Sequence, residues 1–189
     1  MKKFAIFGIA IAFLVCGVLA QSPEPAKVQD APTKEKNHEW LKQLVGEWEI
    51  QFKMYMQPGQ PPAEAPGTAS VRTLGEHWIV AEIKTTMMGT PYTGIHSLGY
   101  NAMKKHFNGT WIDSFGGLLW VYKGTLNDAG DALTLETEGP SALQGPDKTA
   151  RYKEVMQITD KDSRTYTSSI ETEDGTWMKI VTFEYHRKR

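Results

Sequence analysis

From residue 37 onward the apolar positions of the chain change period once. Trp40, Leu41, Leu44 and Val45 recur at helical spacing, with Asn37 placed to cap the first turn and Gly46 to end the helix. After Gly46 the period drops to two. Trp48, Ile50, Phe52 and Met54 alternate with Glu47, Glu49, Gln51 and Lys53, which predicts a strand with one buried face. Further strands are expected near 68–74, 77–86, 92–100, 106–114, 118–125, 132–139, 149–159, 163–172 and 177–187. Turn signals such as "LGEH", "MMGTP", "LNDAGDA" and "TEDG" separate them. No segment after the first helix repeats with a helical period. A run of about ten short strands predicts an all-β domain over residues 37–189, an up-and-down antiparallel barrel or a sandwich.

Parity sharpens that expectation. In an up-and-down meander, alternate connections lie at the same end. The connections after odd strands include "YMQPGQPPAEAPG", "MMGTP" and "GPSALQGPDK", the first and last of these being the two longest and most proline-rich connections of all. The helix and the Gly46-Glu47-Trp48 junction fall at the other end. The pattern describes a cup, stoppered by the helix at one end and ringed by long loops at the other. Met54, Met56, Met87 and Met88 cluster near the ringed end, which predicts a greasy entrance.

The first 36 residues are of a different kind. Lys2 and Lys3 precede an apolar run from Phe4 to Leu19, and Val18-Leu19-Ala20 has the small-residue form of a signal-peptidase site. Residues 1–20 are expected to be a signal peptide cleaved after Ala20, giving a periplasmic or secreted protein with no stable membrane insertion of the mature chain. The apolar run is short for a span of about 20 residues. Cys16 lacks the small preceding residue of a lipid-attachment site, having Val15 instead. Residues 21–36, rich in Pro, Lys and Glu, are expected to form a disordered linker. Cleavage removes the only cysteine, so a disulfide-free core must hold the domain. It also removes 2 of the 21 basic residues, and the remaining 19 against 22 acidic ones leave a net charge of −3. That balance argues against a nucleic-acid partner, which needs clustered Lys and Arg to neutralise phosphates, and the basic tail "HRKR" is read as a solvated end.

The Gly-x-Trp after a short helix resembles the calycin group of lipocalins and fatty-acid-binding proteins, in which the Trp packs across the closed end of the barrel. A longer resemblance covers nearly the whole domain. "HEWLKQLVGEWE", "VRTLGEHWIVAE", "GTPYTGIHSLGYNAMKKHFNGTWIDS", "LTLETEGP" and "FEYHRK" are similar to a bacterial domain-of-unknown-function family, number 1579. Its most specific part here is the block from Gly99 to Ser114. The chain departs from the family at Gly75-Glu76, where a Gly-Gly pair is usual. The resemblance implies a calycin-like barrel and a bacterial setting, and no activity.

The chemistry-bearing residues narrow the function by exclusion. His38, His77, His96, His106 and His186 show no spacing typical of a metal site, so neither metal nor cofactor is expected. Nitrobindins, a related barrel family, ligate haem through one His, but their glycine-rich extension has no counterpart in Glu49 to Lys53. No Gly-x-Ser-x-Gly elbow and no glycine-rich phosphate loop occur. What remains is a set of polar and aromatic residues on strand faces. Arg72, Trp78, Glu82, Trp111, Asp113 and Arg151 are the candidate ligand-binding residues, the charged ones forming an inward network around a cavity; the alternative leaves Glu82 facing water beside a wall of Ile79, Ala81 and Ile83. The leading expectation is an exported barrel that binds a small apolar or amphipathic ligand. The alternatives are a filled barrel serving as a scaffold, and an enzyme using Asp113 or Glu82 as general base. No catalytic residue is assigned.

Overall fold

The structure is a computed structural model and describes residues 36–189. The expected signal peptide, and the expected linker as far as residue 35, lie outside the described residues. The described chain runs from helix α1 (Lys36–Lys42) through ten strands. These are β1 (Gly46–Met54), β2 (Ala63–Leu74), β3 (Trp78–Met87), β4 (Thr90–Asn101), β5 (His106–Asp113), β6 (Trp120–Leu126), β7 (Ala132–Ser141), β8 (Gly145–Asp160), β9 (Ser163–Glu171) and β10 (Trp177–Arg187). Each strand pairs antiparallel with the next, and β10 closes on β1 from Trp48↔Arg187 to Met54↔Val181. The result is an up-and-down barrel with no free edge, so no row of unpaired backbone groups is left as a template for aggregation.

The period-two pattern sets the inside of the barrel. Trp48, Ile50 and Phe52 of β1 point inward and are almost fully buried. So do Ile79, Ala81 and Ile83 of β3, Phe107 and Trp111 of β5, and Tyr152, Glu154 and Met156 of β8. The helix seals one end, as parity predicts. Trp40 and Leu41 of the helix, and Leu44 just after it, are buried. The Trp40 indole packs edge-on against Phe107 at 5.7 Å and donates to the Gly130 carbonyl at 3.0 Å. Trp48 donates to the Leu44 carbonyl at 3.0 Å, tying the first strand to the turn that feeds it. The helix opens at Lys36, so Asn37 lies inside its first turn and does not cap it.

The two proline-rich connections are shorter than the sequence suggests. β2 already begins at Ala63, and Ala63–Gly67 pairs with β1 from Met54 to Ile50. β3 joins β2 only from Thr68, so Pro66 sits where the strand has a neighbour on one side, a position that tolerates proline. The expected loop "GPSALQGPDK" is mostly ladder, with Gly139↔Ala150 and Pro140↔Thr149 paired. Only residues 142–144 connect β7 to β8. The Ser141 hydroxyl accepts from the Leu143 and Gln144 amides, and the Tyr152 hydroxyl donates to the Pro140 carbonyl at 2.6 Å. Side-chain bonds thus hold the turn where the prolines read as a break.

Candidate ligand-binding site

The open end of the barrel leads into a cavity of about 140 Å³. Aromatic rings make most of its wall: Phe52, Tyr92, Trp111, Tyr122, Tyr166 and Phe183. Met87 of β3 and Trp120 of β6, both at the ends of their strands, stand at the mouth. Strand geometry aims these groups at one volume. On β9, Ser168, Tyr166 and Arg164 alternate along the inner face from the open end toward the closed one, and Phe183 and Tyr185 run beside them on β10. Trp111 lies close to parallel with Tyr166, 6.4 Å between centroids and 23° between planes. Its indole fills the space where a side chain on Gly94 would project, so that glycine in β4 makes room for the ring.

Two polar residues, Glu154 and Ser168, break the apolar wall, and His96 is buried behind it. Glu154 of β8 is 4 % exposed; one carboxylate oxygen accepts from the Ser168 hydroxyl at 3.0 Å, and the other, Oε2, has no partner among the described residues. Burial pushes its pKa up to about 7, an effect that the Ser168 hydrogen bond partly offsets. His96 of β4 is 4 % exposed and lies among Trp111, Tyr122 and Tyr166 at 5.8, 5.9 and 6.1 Å. Its Nε2 is likewise without a partner. Burial, and then the charge of Arg164, bring the His96 pKa down to about 4, so the ring is neutral at pH 7. Tyr122 and Tyr166 are pushed up by burial first and by Glu154 second, and they remain protonated donors.

Of the six residues singled out from the sequence, Trp111 is in the cavity wall and Asp113 is at its rim. Asp113 accepts from the Trp111 indole at 3.2 Å and from the Phe115 amide at 2.9 Å, so it orients Trp111 and ties down the loop that follows. The other four lie elsewhere. Arg72 is exposed on β2, and Trp78 is 38 % exposed, covering Gly99 on the outside of the barrel. Glu82 pairs with Lys84 at 3.0 Å on the outer face of β3. Arg151 pairs with Glu171 at 3.1 Å on the outer face of β8 and stacks over Trp177. No inward network of these charges forms, because Ile79, Ala81 and Ile83 on β3 and Tyr152, Glu154 and Met156 on β8 take the inner positions. Glu154, Ser168, His96 and the tyrosines were missed. A usable signal existed: Tyr152, Glu154 and Met156 alternate with Arg151, Lys153 and Val155, and a face carrying Tyr and Met suits the inside better than one carrying Arg and Lys.

Around the mouth, four of the five connections carry exposed apolar side chains. These are Met56 after β1, Met88 after β3, Phe115, Leu118 and Leu119 after β5, and Leu143 after β7. None of those stretches from Met56 to Pro62, Met88 to Gly89, Ser114 to Leu119 and Ala142 to Gln144 contains a charged residue.

A family description, Protein of unknown function (DUF1579), matches residues 33–187. The chain belongs to the DUF1579 family. Among solved structures, this DUF1579 chain is similar to Rv2717c from M. tuberculosis, at 17 % identity and a TM-score of 0.59, over 82 % of this chain and 99 % of that one. It is also similar to the S-type phycobiliprotein lyase CPES from Guillardia theta, at 14 % identity and a TM-score of 0.54, over 80 % and 92 % of the two chains. At these identities the likeness is one of fold: a closed calycin-like barrel. No curated protein matches the chain in sequence. Among the described residues, no group of three or more His, Cys, Asp or Glu side chains is placed to hold a metal ion. No helix among them is long and apolar enough to cross a membrane.

Proposed function

We propose that this barrel is an exported binding protein for a small amphipathic molecule. Its ligand places one ring-sized apolar group among Trp111, Tyr166 and Phe183 and a hydrogen-bond donor against Glu154. The observation that carries this reading is the buried carboxylate oxygen with no partner in the wall of an aromatic cavity. A buried acceptor left unpaired costs about 1–3 kcal/mol, and a ligand N–H or O–H supplies what it lacks. Size sets the ligand class. A volume of about 140 Å³ is close to the engineered apolar cavity of about 150 Å³ that takes benzene. It is well below the roughly 300–1,000 Å³ of sites for drug-sized ligands. A single ring fits as it stands, and a long acyl chain does not. The four uncharged, apolar connections at the mouth give such a molecule a compatible approach. Export rests on the Lys2-Lys3 and Phe4–Leu19 pattern with its Ala20 site. Asp113 and Glu82 are not the bases of an enzyme on this reading, since one orients Trp111 and the other is paired outside.

Calorimetric titration with benzylamine, phenol, toluene and laurate tests the proposal, with Trp fluorescence followed in parallel. Benzylamine and phenol are expected to bind more tightly than toluene, and laurate not to bind. Benzylamine is expected to tighten as pH rises through about 7, where Glu154 ionises, and Glu154→Gln is expected to remove that dependence. If none of the three ring probes binds, the barrel is a filled scaffold.

A further inference from the structure

The closed end holds a second pocket, of about 170 Å³, lined by Gln43, Leu44, Trp48, Ile158, Asp160, Lys161, Arg164 and Arg187. Arg164 is its unusual member. The side chain is only 6 % exposed, yet among the described residues its Nε has no hydrogen-bond partner and no carboxylate forms an ion pair with it. Two rings cover the guanidinium, Tyr185 at 4.1 Å and Trp48 at 4.6 Å from its central carbon. Ring contacts of this kind act on the faces of the plane. They do not answer the N–H donors that a guanidinium directs from its edge, and the Arg164 Nε–H is buried with no acceptor among the described residues.

The neighbouring charges sharpen the imbalance. Arg187 also lies on the Trp48 ring, at 4.1 Å. Its donors are engaged with the carbonyls of Val45, Gln43 and Lys161, and Asp162 stands 3.5 Å away. Lys161 is paired with the same Asp162 at 2.7 Å. Asp160 receives the Asp162 amide at 2.8 Å, which engages it in the β8–β9 turn. Burial, and the like charge of Arg187, bring the Arg164 pKa down to about 10, so it is still a cation at pH 7. A buried cation is stable when it is paired; Asp162 is already shared by Lys161 and Arg187, and Asp160, which also lines the pocket, forms no ion pair with Arg164.

We propose that this closed-end pocket is an anion-binding site, taking a small oxyanion, either a carboxylate or a phosphate-like group, on the N–H edge of Arg164 with Arg187 and Lys161 around it. The guanidinium fork matches two oxygens of such a group. The site is separate from the aromatic cavity, which Trp111 and Glu154 line and Arg164 does not.

The test is a titration of the wild-type protein with sodium phosphate and with sodium acetate against sodium chloride at matched ionic strength. The Arg Nε–Hε signals are read by ¹⁵N NMR and thermal unfolding is read beside them. One Nε–Hε resonance is expected to shift saturably with an oxyanion and not with chloride, and the melting temperature to rise over the same range. Phosphate and acetate arms tell a tetrahedral preference from a planar one. Arg164→Met is expected to weaken binding by about tenfold or more, the usual scale for losing a charge-assisted contact. Arg164→Lys is expected to retain part of it. If Arg164→Met fails to fold, the NMR titration of the wild type decides alone. Arg signals that follow ionic strength only, or an oxyanion response that survives in a folded Arg164→Met, would overturn the proposal. Benzylamine binding unchanged in Arg164→Met separates this site from the cavity.

Discussion

Glu154 and His96 share Tyr122 and Tyr166 as neighbours, and their titrations act on stability with opposite sign. Glu154 titrates near 7 in the folded chain and at 4.5 when free. Between those values the folded protein holds a proton that the unfolded chain has released, so stability falls as pH rises. At about 1.4 kcal/mol per pH unit, the interval amounts to about 3 kcal/mol. His96 titrates near 4 in the folded chain and at 6.5 when free. Over that window the unfolded chain binds the extra proton, so stability rises with pH, again by about 3 kcal/mol. The two windows overlap from 4.5 to 6.5, where the contributions nearly cancel and this pair leaves the wild-type profile close to flat. Each substitution removes one of them. Glu154→Gln is expected to gain about 3 kcal/mol relative to wild type as pH rises from 4.5 to 7, and His96→Gln to lose about 3 kcal/mol as pH rises from 4 to 6.5. Urea unfolding followed by circular dichroism at several pH values measures both. Taking differences from wild type cancels the exposed carboxylates common to all three proteins, such as Asp174, which its Thr172 and Thr176 hydrogen bonds hold at about 2. Three parallel profiles would refute the burial argument for both groups.

Other expectations follow from single contacts. Trp48 is 1 % exposed, so Trp48→Ala is expected to cost about 3–5 kcal/mol, and an unchanged melting temperature would place this ring outside the core. Gly46→Ala puts a side chain on a backbone at φ 136° and against the Arg187 guanidinium; a loss of about 1–3 kcal/mol in chemical denaturation is expected. Gly94→Ala displaces Trp111, so a shifted Trp emission and weaker benzylamine binding are expected together. Met87→Glu puts a charge at the mouth and is expected to abolish ring-probe binding while the far-ultraviolet dichroism stays native.

The fold was legible because two periods and one parity rule carry it. Trp40, Leu41 and Leu44 mark the helix, the alternation from Trp48 to Met54 marks the first strand, and counting strands places the stopper opposite the mouth. Strand ends were less legible where proline sits inside a ladder, as at Pro66 and Pro140, because a proline pattern does not say whether its strand has one neighbour or two. The site was legible only in part. Trp111 shares an inner face with Phe107, so alternation reaches it. The apolar Ile79, Ala81 and Ile83 opposite Glu82 mark the inner face of its strand, whereas Arg151 sits on a strand where both faces carry a charge, and period two assigns faces without saying which is inside. Glu154 belongs to the inner face of such a strand. Its role depends on Ser168 and Tyr166, which are distant in sequence and adjacent only through the register of β8 with β9, Glu154↔Ser168 and Met156↔Tyr166. Arg164 carries no mark in the sequence that separates it from other strand charges; its burial under the Trp48 and Tyr185 rings depends on the packing of three strands.

The most direct test of the binding claim is a crystal structure of the protein soaked with 4-bromophenol, recorded at the bromine absorption edge. The predicted result is one anomalous peak inside the barrel, with the phenol ring against Trp111 and Tyr166 and its hydroxyl within hydrogen-bond distance of Glu154 Oε2. Bromine found only on the outer surface, with the aromatic side chains closed over the cavity at saturating ligand, would contradict it.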